Sequence, residues 1–325
     1  MIKKKLIIAF ILFLFTSCNS QKKKQLEEVS IVLDWYPNAV HTFIYTALAN
    51  GYFNDEGIDL KILYPSSPSD SLVLPAAKKA DIGISYLNTV IIAKTNENIP
   101  IQSFGAILQQ SVNTVISLKE KNITSPKDFT NKRAGSSGGL LSDVYLNTMM
   151  KHKGVSPNSL EVIDVGFELL TSMITDQVDF TIGGMLNHEI PVMKDKGIDI
   201  NYFLIEEFGI PQSYELILVA NEELLKEKTA TYQKVVNILK KGFQDVKNNP
   251  QKSIDILLSK QASEQFPLTE NVEKQSLTIL LPLMENNTSS FLNQKEEIWE
   301  NNINWLFENQ IISKKIPAKN FIYQF

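Results

Sequence analysis

Aromatic and polar residues that could bind a small molecule lie together between Asp34 and His41, where a predicted strand leads into a predicted helix. Trp35 and Tyr36 offer flat faces on which a ring could stack. Asn38 offers both a hydrogen-bond donor and an acceptor. The same asparagine could instead cap the helix that follows, with the tryptophan in the core. The stretch therefore predicts either one wall of a ligand site or a capped turn.

A glycine-rich loop, Gly-Ser-Ser-Gly-Gly at 135–139, follows another predicted strand. Free N–H groups at the start of a helix bind an anion or a polarised oxygen. The loop is not a Walker loop, because no Gly-Lys-Ser/Thr follows. It does match the G-x-S-x-G pattern of hydrolases, in which Ser137 would be the nucleophile, followed by Asp164 or Asp179 and then His188. No His-Gly-Gly stretch supplies an oxyanion loop, and a serine hydrolase using Ser137 and His188 stays an alternative.

Two further stretches could face a cleft. Asn187 and Glu189 flank a histidine after a predicted strand, and Glu189 would lie in the first turn of a helix, where the helix dipole favours a carboxylate. That carboxylate could accept from amino or ring N–H groups of a ligand. A metal site from His41, His188 and Glu189 would require three dispersed ligands to converge, so no metal is expected. Tyr214 would lie beside a crossing of the chain between two domains, or on an edge strand.

The elements that must position these residues alternate between strands and helices. Such alternation predicts an α/β fold with mostly parallel sheets and helices on both faces. Two α/β units are followed by a helical tail with no sheet of its own, which must cover an existing sheet. The chain would cross between the units near Ser111 and Tyr214. Strands are predicted at 29–33, 58–64, 81–85, 101–108, 113–118, 133–137, 161–165, 179–183, 201–206 and 215–220.

The composition limits the functional classes. The chain has 325 residues, 43% hydrophobic and 21% charged, which is typical of a globular protein and excludes a disordered chain. The formal net charge of −4 argues against nucleic-acid binding, which requires a basic face. The single cysteine, Cys18, excludes an intramolecular disulfide.

The first residues predict export from the cytoplasm. Three lysines at 3–5 precede an apolar run at 6–15 that is too short to span a membrane, which is typical of a secretory signal. The sequence LFTSC at 14–18 resembles a bacterial lipobox, which implies cleavage after residue 17 and lipid on Cys18. Plain secretion is the alternative. Two acyl chains would hold the protein on the extracytoplasmic face of the cell membrane, with residues 18–28 as a flexible tether.

Taken together, the motifs resemble a known family. The sequences LDWYPN at 33–38, GYF at 51–53 and EGID at 56–59 resemble the opening of solute-binding proteins for thiamine-pyrimidine precursors. DIGISY at 81–86, the loop at 135–139, NHE at 187–189 and YEL at 214–216 follow in the same order. The resemblance covers about residues 29–325.

The resemblance implies a periplasmic-binding protein fold of type II, with two α/β lobes joined by two crossings. Lobe one would comprise residues 29–112 plus 214–325, with the helical tail packed on it, and lobe two residues 113–213. The protein would capture a formyl- or hydroxymethyl-aminopyrimidine between the lobes. As a monomer without cofactor or catalysis, it would deliver this ligand to an ABC permease and its ATPase.

The resemblance also implies roles for individual residues. Glu189 would accept from the amino group and a protonated ring nitrogen, Trp35 and Tyr214 would sandwich the ring, and the loop from Ser137 to Gly139 would hold a formyl or hydroxyl oxygen. The expected ligand-binding residues are Trp35, Tyr36, Asn38, His41, Ser85, Tyr86, Ser137, Gly138, Gly139, Asn187, Glu189 and Tyr214.

Two other members of the wider superfamily remain as comparisons. The fungal pyrimidine synthase of thiamine biosynthesis has a similar fold, but it carries a Lys/His pair and a cysteine-rich segment that 85–89 and 211–216 lack here. Binding proteins for a riboflavin precursor, an alkanesulfonate or nitrate share the fold. A sulfonate site would need a more basic cleft, and no arginine occurs in the four stretches.

Overall fold

The computed structural model describes residues 26–138, 140–260 and 267–325. The predicted signal, Cys18 and Gly139 therefore lie outside the described residues. The first strand, β1, begins at Glu27, so the predicted tether at 18–28 extends two residues into the sheet.

The first sheet is built from both ends of the chain. Its strands are ordered β2-β1-β3-β10-β4, and β10 alone runs antiparallel to its neighbours. The strand β10 is therefore inserted from a distant part of the sequence. The five strands are β1 (Glu27–Val32), β2 (Ile58–Leu63), β3 (Ile82–Ser85), β4 (Ile101–Ala106) and β10 (Ile217–Asn221).

The second sheet lies between these segments in the sequence. Its order is β7-β6-β8-β5-β9, and β5 runs antiparallel to both of its neighbours. In each sheet four of the five strands share one direction, which confirms the prediction of mostly parallel sheets. The strands are β5 (Asn113–Leu118), β6 (Lys132–Ser136), β7 (Leu160–Asp164), β8 (Phe180–Met185) and β9 (Ile200–Leu204).

Helices connect the strands and form the tail. The sequence predicts helices at 229–248, from an amphipathic stripe, and at 250–260, and α9 and α10 have these bounds. The two short helices α2 and α8 were not predicted, because a single turn has too little periodicity. The helices are α1 (Thr42–Ala49), α2 (Tyr52–Asp55), α3 (Asp70–Ala76), α4 (Leu87–Glu97), α5 (Leu140–His152), α6 (Leu169–Ile174), α7 (Glu189–Asp195), α8 (Glu222–Glu227), α9 (Thr229–Asn248), α10 (Pro250–Lys260), α11 (Glu270–Met284) and α12 (Glu296–Glu308).

The helical tail covers the first sheet, as its lack of strands predicted. The helix α9 packs on α1 so closely that a Cβ at Gly242 would collide with the carbonyl oxygen of Phe43. Phe243 stacks on Phe291, with ring centroids 4.1 Å apart. Trp299 is fully buried and serves as a core residue of α12. The tail thus supplies apolar residues to the core on both faces of the first sheet, from α9 on one face and from α12 on the other.

Each sheet and its helices form one α/β lobe, called here the first lobe and the second lobe after their sheets. The chain passes between the lobes twice, after β4 and after β9. Within the described residues, no helix combines the length and the apolar character needed to cross a membrane.

Candidate functional site

A cavity of about 840 Å³ lies between the two lobes. Its walls include residues at or just after the carboxyl ends of four parallel strands: Asp34 after β1, Ser85 in β3, Ser137 after β6 and Asp164 in β7. Ligands of open α/β folds bind at such strand ends. The fold therefore brings together side chains that are far apart in the sequence.

Asp34 is held at the cavity by a histidine beneath it. His41 is fully buried, and its Nε2 lies 2.9 Å from Asp34 Oδ1. The N–H of Asn38 donates to His41 Nδ1 at 3.2 Å, and Asn38 Oδ1 in turn accepts from the N–H of Val40 at 3.0 Å. Asn38 caps the short helix at 39–41 and also lines the cavity. His41 itself does not line the cavity.

Glu189 is placed at the first position of α7, where the helix dipole favours a carboxylate. The side chain lines the cavity with the residue only 7% exposed, and its Oε2 accepts from the N–H of Met185 at 2.7 Å. In the part of the chain that the structure describes, this is the one hydrogen bond to the carboxylate. Asn187, also at the cavity, donates to Ser276 Oγ in α11 at 3.2 Å.

A third carboxylate, that of Glu215, reaches the cavity from the second crossing. It accepts from the Ser111 hydroxyl and from the N–H of Val112 at 3.0 Å. Burial raises the pKa of Glu215 above its ordinary value. Tyr86 also lines the cavity; burial raises its pKa well above the ordinary value, and the surrounding carboxylates of Asp34, Glu215 and Glu189 add to the effect.

Tyr214 does not face the cavity in the structure. It is 2% exposed, packs in the apolar cluster that contains Trp299, and accepts a hydrogen bond from the N–H of Lys295 at 2.8 Å. The sandwich of a ring between Trp35 and Tyr214 is therefore not formed. The two neighbouring side chains point in opposite directions. Glu215 points into the cavity, and Tyr214 points toward the tail.

A different aromatic residue meets Trp35. The ring of Phe167, from the second lobe, lies 4.3 Å from that of Trp35 and 5.1 Å from that of Tyr36, measured between centroids. Trp35 lines the cavity, whereas Tyr36 and Phe167 do not. No local pattern singled out Phe167, because its partner lies in the other lobe.

The glycine-rich loop also forms part of the wall. Ser137 and Gly138 line the cavity. Gly138 has a φ of +85°, and a Cβ there would lie 2.7 Å from Asp164 Oδ2. The N–H of Gly138 donates to Ser136 Oγ at 3.3 Å. A glycine is therefore required for both the backbone conformation and the close approach of Asp164.

The groups of the hydrolase alternative are not arranged for catalysis. Ser137 and His188 both line the cavity, but among the described residues no hydrogen bond joins them, and His188 Nδ1 is buried without a partner. Asp179 instead pairs with Arg133 and Lys121, each at 3.2 Å. A triad requires a nucleophile bound to a base and a base bound to an orienting group.

Other polar atoms at the cavity lack partners as well. Ser85 Oγ and Asn113 Oδ1 are buried without a hydrogen bond, and both residues line the cavity. Ser85 is predicted from the motif DIGISY at 81–86, which contains it. Asn113 was not, because it follows the first crossing with no distinguishing neighbours. Buried polar atoms without partners indicate places where a ligand can bind.

The charge of the cavity is negative. Along the wall formed by described residues there is no lysine or arginine, and the same part of the chain holds no group of three residues suited to a metal ion. A wall of carboxylates favours ligands with N–H donors or positive charge. The acidic residues of the wall are Asp34, Glu97, Asp164, Glu189 and Glu215.

Two α/β lobes around a cavity at the strand ends define the type II periplasmic-binding protein fold. A solved structure of that fold, the alkanesulfonate-binding protein from Xanthomonas axonopodis pv. citri bound to MOPS, matches 93% of this chain and 99% of its own, with a TM-score of 0.72 and 10% identity. The chain belongs to the NMT1/THI5 like family, whose model matches residues 38–253.

Two relatives of known name span most of the chain. The formylaminopyrimidine-binding protein of Halalkalibacterium halodurans is 35% identical over 97% of this chain and 96% of its own. A 4-amino-5-hydroxymethyl-2-methylpyrimidine phosphate synthase of Saccharomyces cerevisiae is 25% identical over 70% of this chain and 69% of its own. The family therefore includes both binding proteins and enzymes that act in pyrimidine chemistry.

Proposed function

We propose that this protein is the extracytoplasmic substrate-binding component of an ABC importer, and that its ligand is a formyl- or hydroxymethyl-aminopyrimidine. The observation that carries the proposal is the ring of buried carboxylates, Asp34, Glu189 and Glu215, around a cavity without a described lysine or arginine. An aminopyrimidine presents N–H donors on one edge, which complement such acceptors. A sulfonate or nitrate would bring negative charge to a site whose described wall has no lysine or arginine.

The pyrimidine would bind with its amino edge toward Glu189. One oxygen of this carboxylate accepts from the Met185 N–H. Each carboxylate oxygen has two lone pairs, so both oxygens can still accept from the ligand. A ring protonated on nitrogen would form two charge-assisted bonds with it. Trp35 would stack on the ring, and Ser137 with Gly138 would meet a formyl or hydroxyl oxygen at the far side.

Binding rather than catalysis accounts for the groups at the cavity. Ser137 and His188 are not joined, and the positions 85–89 and 211–216 lack the Lys/His pair and the cysteines expected of the synthase. The ligand would bridge the lobes of a monomer and favour the closed state by its higher affinity for that state. The closed protein, anchored through lipid on Cys18, would dock on the permease.

Calorimetric titration with formylaminopyrimidine, with 4-amino-5-hydroxymethyl-2-methylpyrimidine and with taurine tests the ligand class. We expect binding of the pyrimidines only. Glu189→Gln should weaken pyrimidine binding about 10- to 100-fold, since a charge-assisted bond contributes roughly 1.5–3 kcal/mol. Glu97→Gln is the control, because it removes the same charge from an exposed residue at the cavity wall.

Either of two results would contradict the proposal. Glu189→Gln that binds the pyrimidine as tightly as the parent would exclude the paired contact. Turnover of an ester substrate that Ser137→Ala abolishes would favour the hydrolase instead.

A further inference from the structure

We propose that Phe167 is a positioning residue that closes an aromatic clasp across the cleft and thereby couples ring stacking on Trp35 to closure of the lobes. The aromatic clasp consists of Trp35 and Tyr36 from the first lobe and Phe167 from the second. The inference rests on the proposed function, because it assigns to Phe167 the control of how long a stacked ligand stays bound.

The clasp is a direct contact between the lobes. The Phe167 ring meets the Trp35 ring edge-on, with an interplanar angle of 72° and a centroid distance of 4.3 Å. It meets the Tyr36 ring at 5.1 Å and 60°. All three side chains are partly buried. Aromatic rings that meet at an angle, rather than face to face, are attractive beyond the burial of their area.

The first-lobe side of the clasp is braced by polar contacts. Asn38 Nδ2 donates to the carbonyl oxygen of Tyr36 at 3.1 Å, and His41 holds the adjacent Asp34. These bonds fix the backbone on either side of Trp35. The indole is therefore presented by a rigid turn.

The second-lobe side is braced in the same manner. Phe167 lies between β7 and α6, in a turn where Asp164 Oδ1 accepts from the N–H of Gly166 at 2.9 Å. The N–H of Val165 donates to the carbonyl oxygen of Ser136 at 2.9 Å. The turn is thus tied to the strand that carries the glycine-rich loop.

Asp164 connects the clasp to the ligand-facing loop. One of its oxygens binds the turn before Phe167, and the other lies against Gly138. A ligand held at Ser137 and Gly138 would therefore be fixed to the same unit that carries Phe167. When the lobes close on the ligand, Phe167 must approach Trp35 together with that loop.

Phe167 acts through Trp35, because it does not line the cavity in the described structure and Trp35 does. A ring stacked on the indole from the cavity side restricts its rotation and keeps its edge available to Phe167. Opening of the cleft must then break both contacts. The clasp therefore slows release of a stacked ligand and has little effect on its arrival.

Surface plasmon resonance with formylaminopyrimidine tests the clasp by separating the two rates. Phe167→Ala should raise the dissociation rate about tenfold, because it removes an aromatic pair together with the area that the pair buries. The association rate should change less. Phe167→Tyr should restore slow dissociation. Phe307→Ala, which removes an exposed aromatic ring from α12, is the matched control and should leave both rates unchanged.

A double-mutant cycle distinguishes positioning from a purely structural role. In a Trp35→Ala background, Phe167→Ala should increase the dissociation rate far less than in the parent, because only the contact with Tyr36 remains to be lost. Phe167→Leu, which keeps apolar bulk in case the alanine variant folds poorly, should also release the ligand faster. Unchanged dissociation in both Phe167 variants, or additive effects in the cycle, would overturn the clasp. A parent protein that binds no pyrimidine would instead overturn the proposed function.

Discussion

His41 has no exposed surface, yet it determines how Asp34 meets the cavity. The N–H of Asn38 donates to Nδ1, so that nitrogen carries a lone pair and the ring proton lies on Nε2. Nε2–H then donates to Asp34 Oδ1. One carboxylate oxygen is thereby occupied, and the other lies 3.5 Å from the hydroxyl of Tyr86 at the cavity wall.

We predict that His41→Ala weakens binding of the pyrimidine about tenfold and lowers the free energy of unfolding by about 2 kcal/mol. The reason is that loss of one partner leaves the buried carboxylate of Asp34 without its donor. Titration calorimetry and urea unfolding measure the two effects. His41→Gln, whose amide can supply an N–H at similar reach, should recover much of both. An alanine variant with parental affinity would show that Asp34 needs no such support.

Residue types at the site could be predicted from the sequence, but not the side of the chain on which each lies. The strand-to-helix stretches brought Trp35, Asn38 and Glu189 to attention, and all three line the cavity. The sequence predicts Tyr214 at the cleft, beside the second crossing, and does not single out Glu215. Which neighbour points inward depends on packing against α12, and Phe167 depends on a contact between lobes. Neither leaves a local signal.

At the scale of elements, the position of the strands could be predicted and the direction of two of them could not. Every predicted strand is present, with ends that differ by a few residues. The strands β5 and β10 run opposite to their neighbours, and each is the first strand after a crossing. A strand that enters a sheet from the other lobe arrives from the opposite end, which the pattern of apolar residues does not record.

A substitution in the glycine-rich loop can separate two effects on stability: the strain of the backbone and the steric contact of an added Cβ. Gly138→Ala should lower the free energy of unfolding by about 2 kcal/mol or more, because the left-handed conformation alone costs an alanine roughly 1–2 kcal/mol and the Cβ would also press on Asp164. The loop must then shift, so pyrimidine affinity should fall as well. Urea unfolding and titration calorimetry measure these changes.

Gly154→Ala is the matched control for that substitution. Gly154 has a φ of +72°, close to that of Gly138, but a Cβ there would meet nothing within 4 Å. Gly154→Ala should therefore lower the free energy of unfolding only by the cost of the left-handed backbone conformation, and it should leave ligand binding unchanged. Equal losses of stability and of affinity in both variants would show that the contact with Asp164 does not shape the site.

At the scale of the whole molecule, the two crossings behave as one hinge because their side chains bind each other. Ser111 and Val112 of the first crossing donate to Glu215 of the second. Farther from the hinge the lobes meet again, where Asn187 binds Ser276 and Asn271 Nδ2 donates to Asp195 Oδ1 at 2.5 Å. In the described structure, α7 of the second lobe thus lies against α11 of the tail.

A second acid, the partly buried Glu206, lies in the hinge and makes stability depend on pH. Burial raises the pKa of Glu206 from 4.5 to about 7, and the charge of Glu215 acts in the same direction, although the N–H of Ser213 donates to Glu206 at 3.2 Å. The unfolded chain loses this proton near pH 4.5 and the folded chain near pH 7. The favourable contribution of Glu206 is therefore fully present below about pH 4.5 and is lost as the pH rises through 7.

Glu206→Gln should remove this part of the pH dependence. The amide stays neutral and keeps an oxygen for the Ser213 N–H, so the variant should gain on the order of 3 kcal/mol over the parent between pH 4.5 and pH 8, since one pKa unit corresponds to about 1.4 kcal/mol. Urea unfolding at intervals across that range measures the difference between the two proteins. Glu207→Gln, at the exposed neighbouring position, should instead run parallel to the parent. A constant offset between Glu206→Gln and the parent at every pH would show that Glu206 is ionised in the folded hinge throughout.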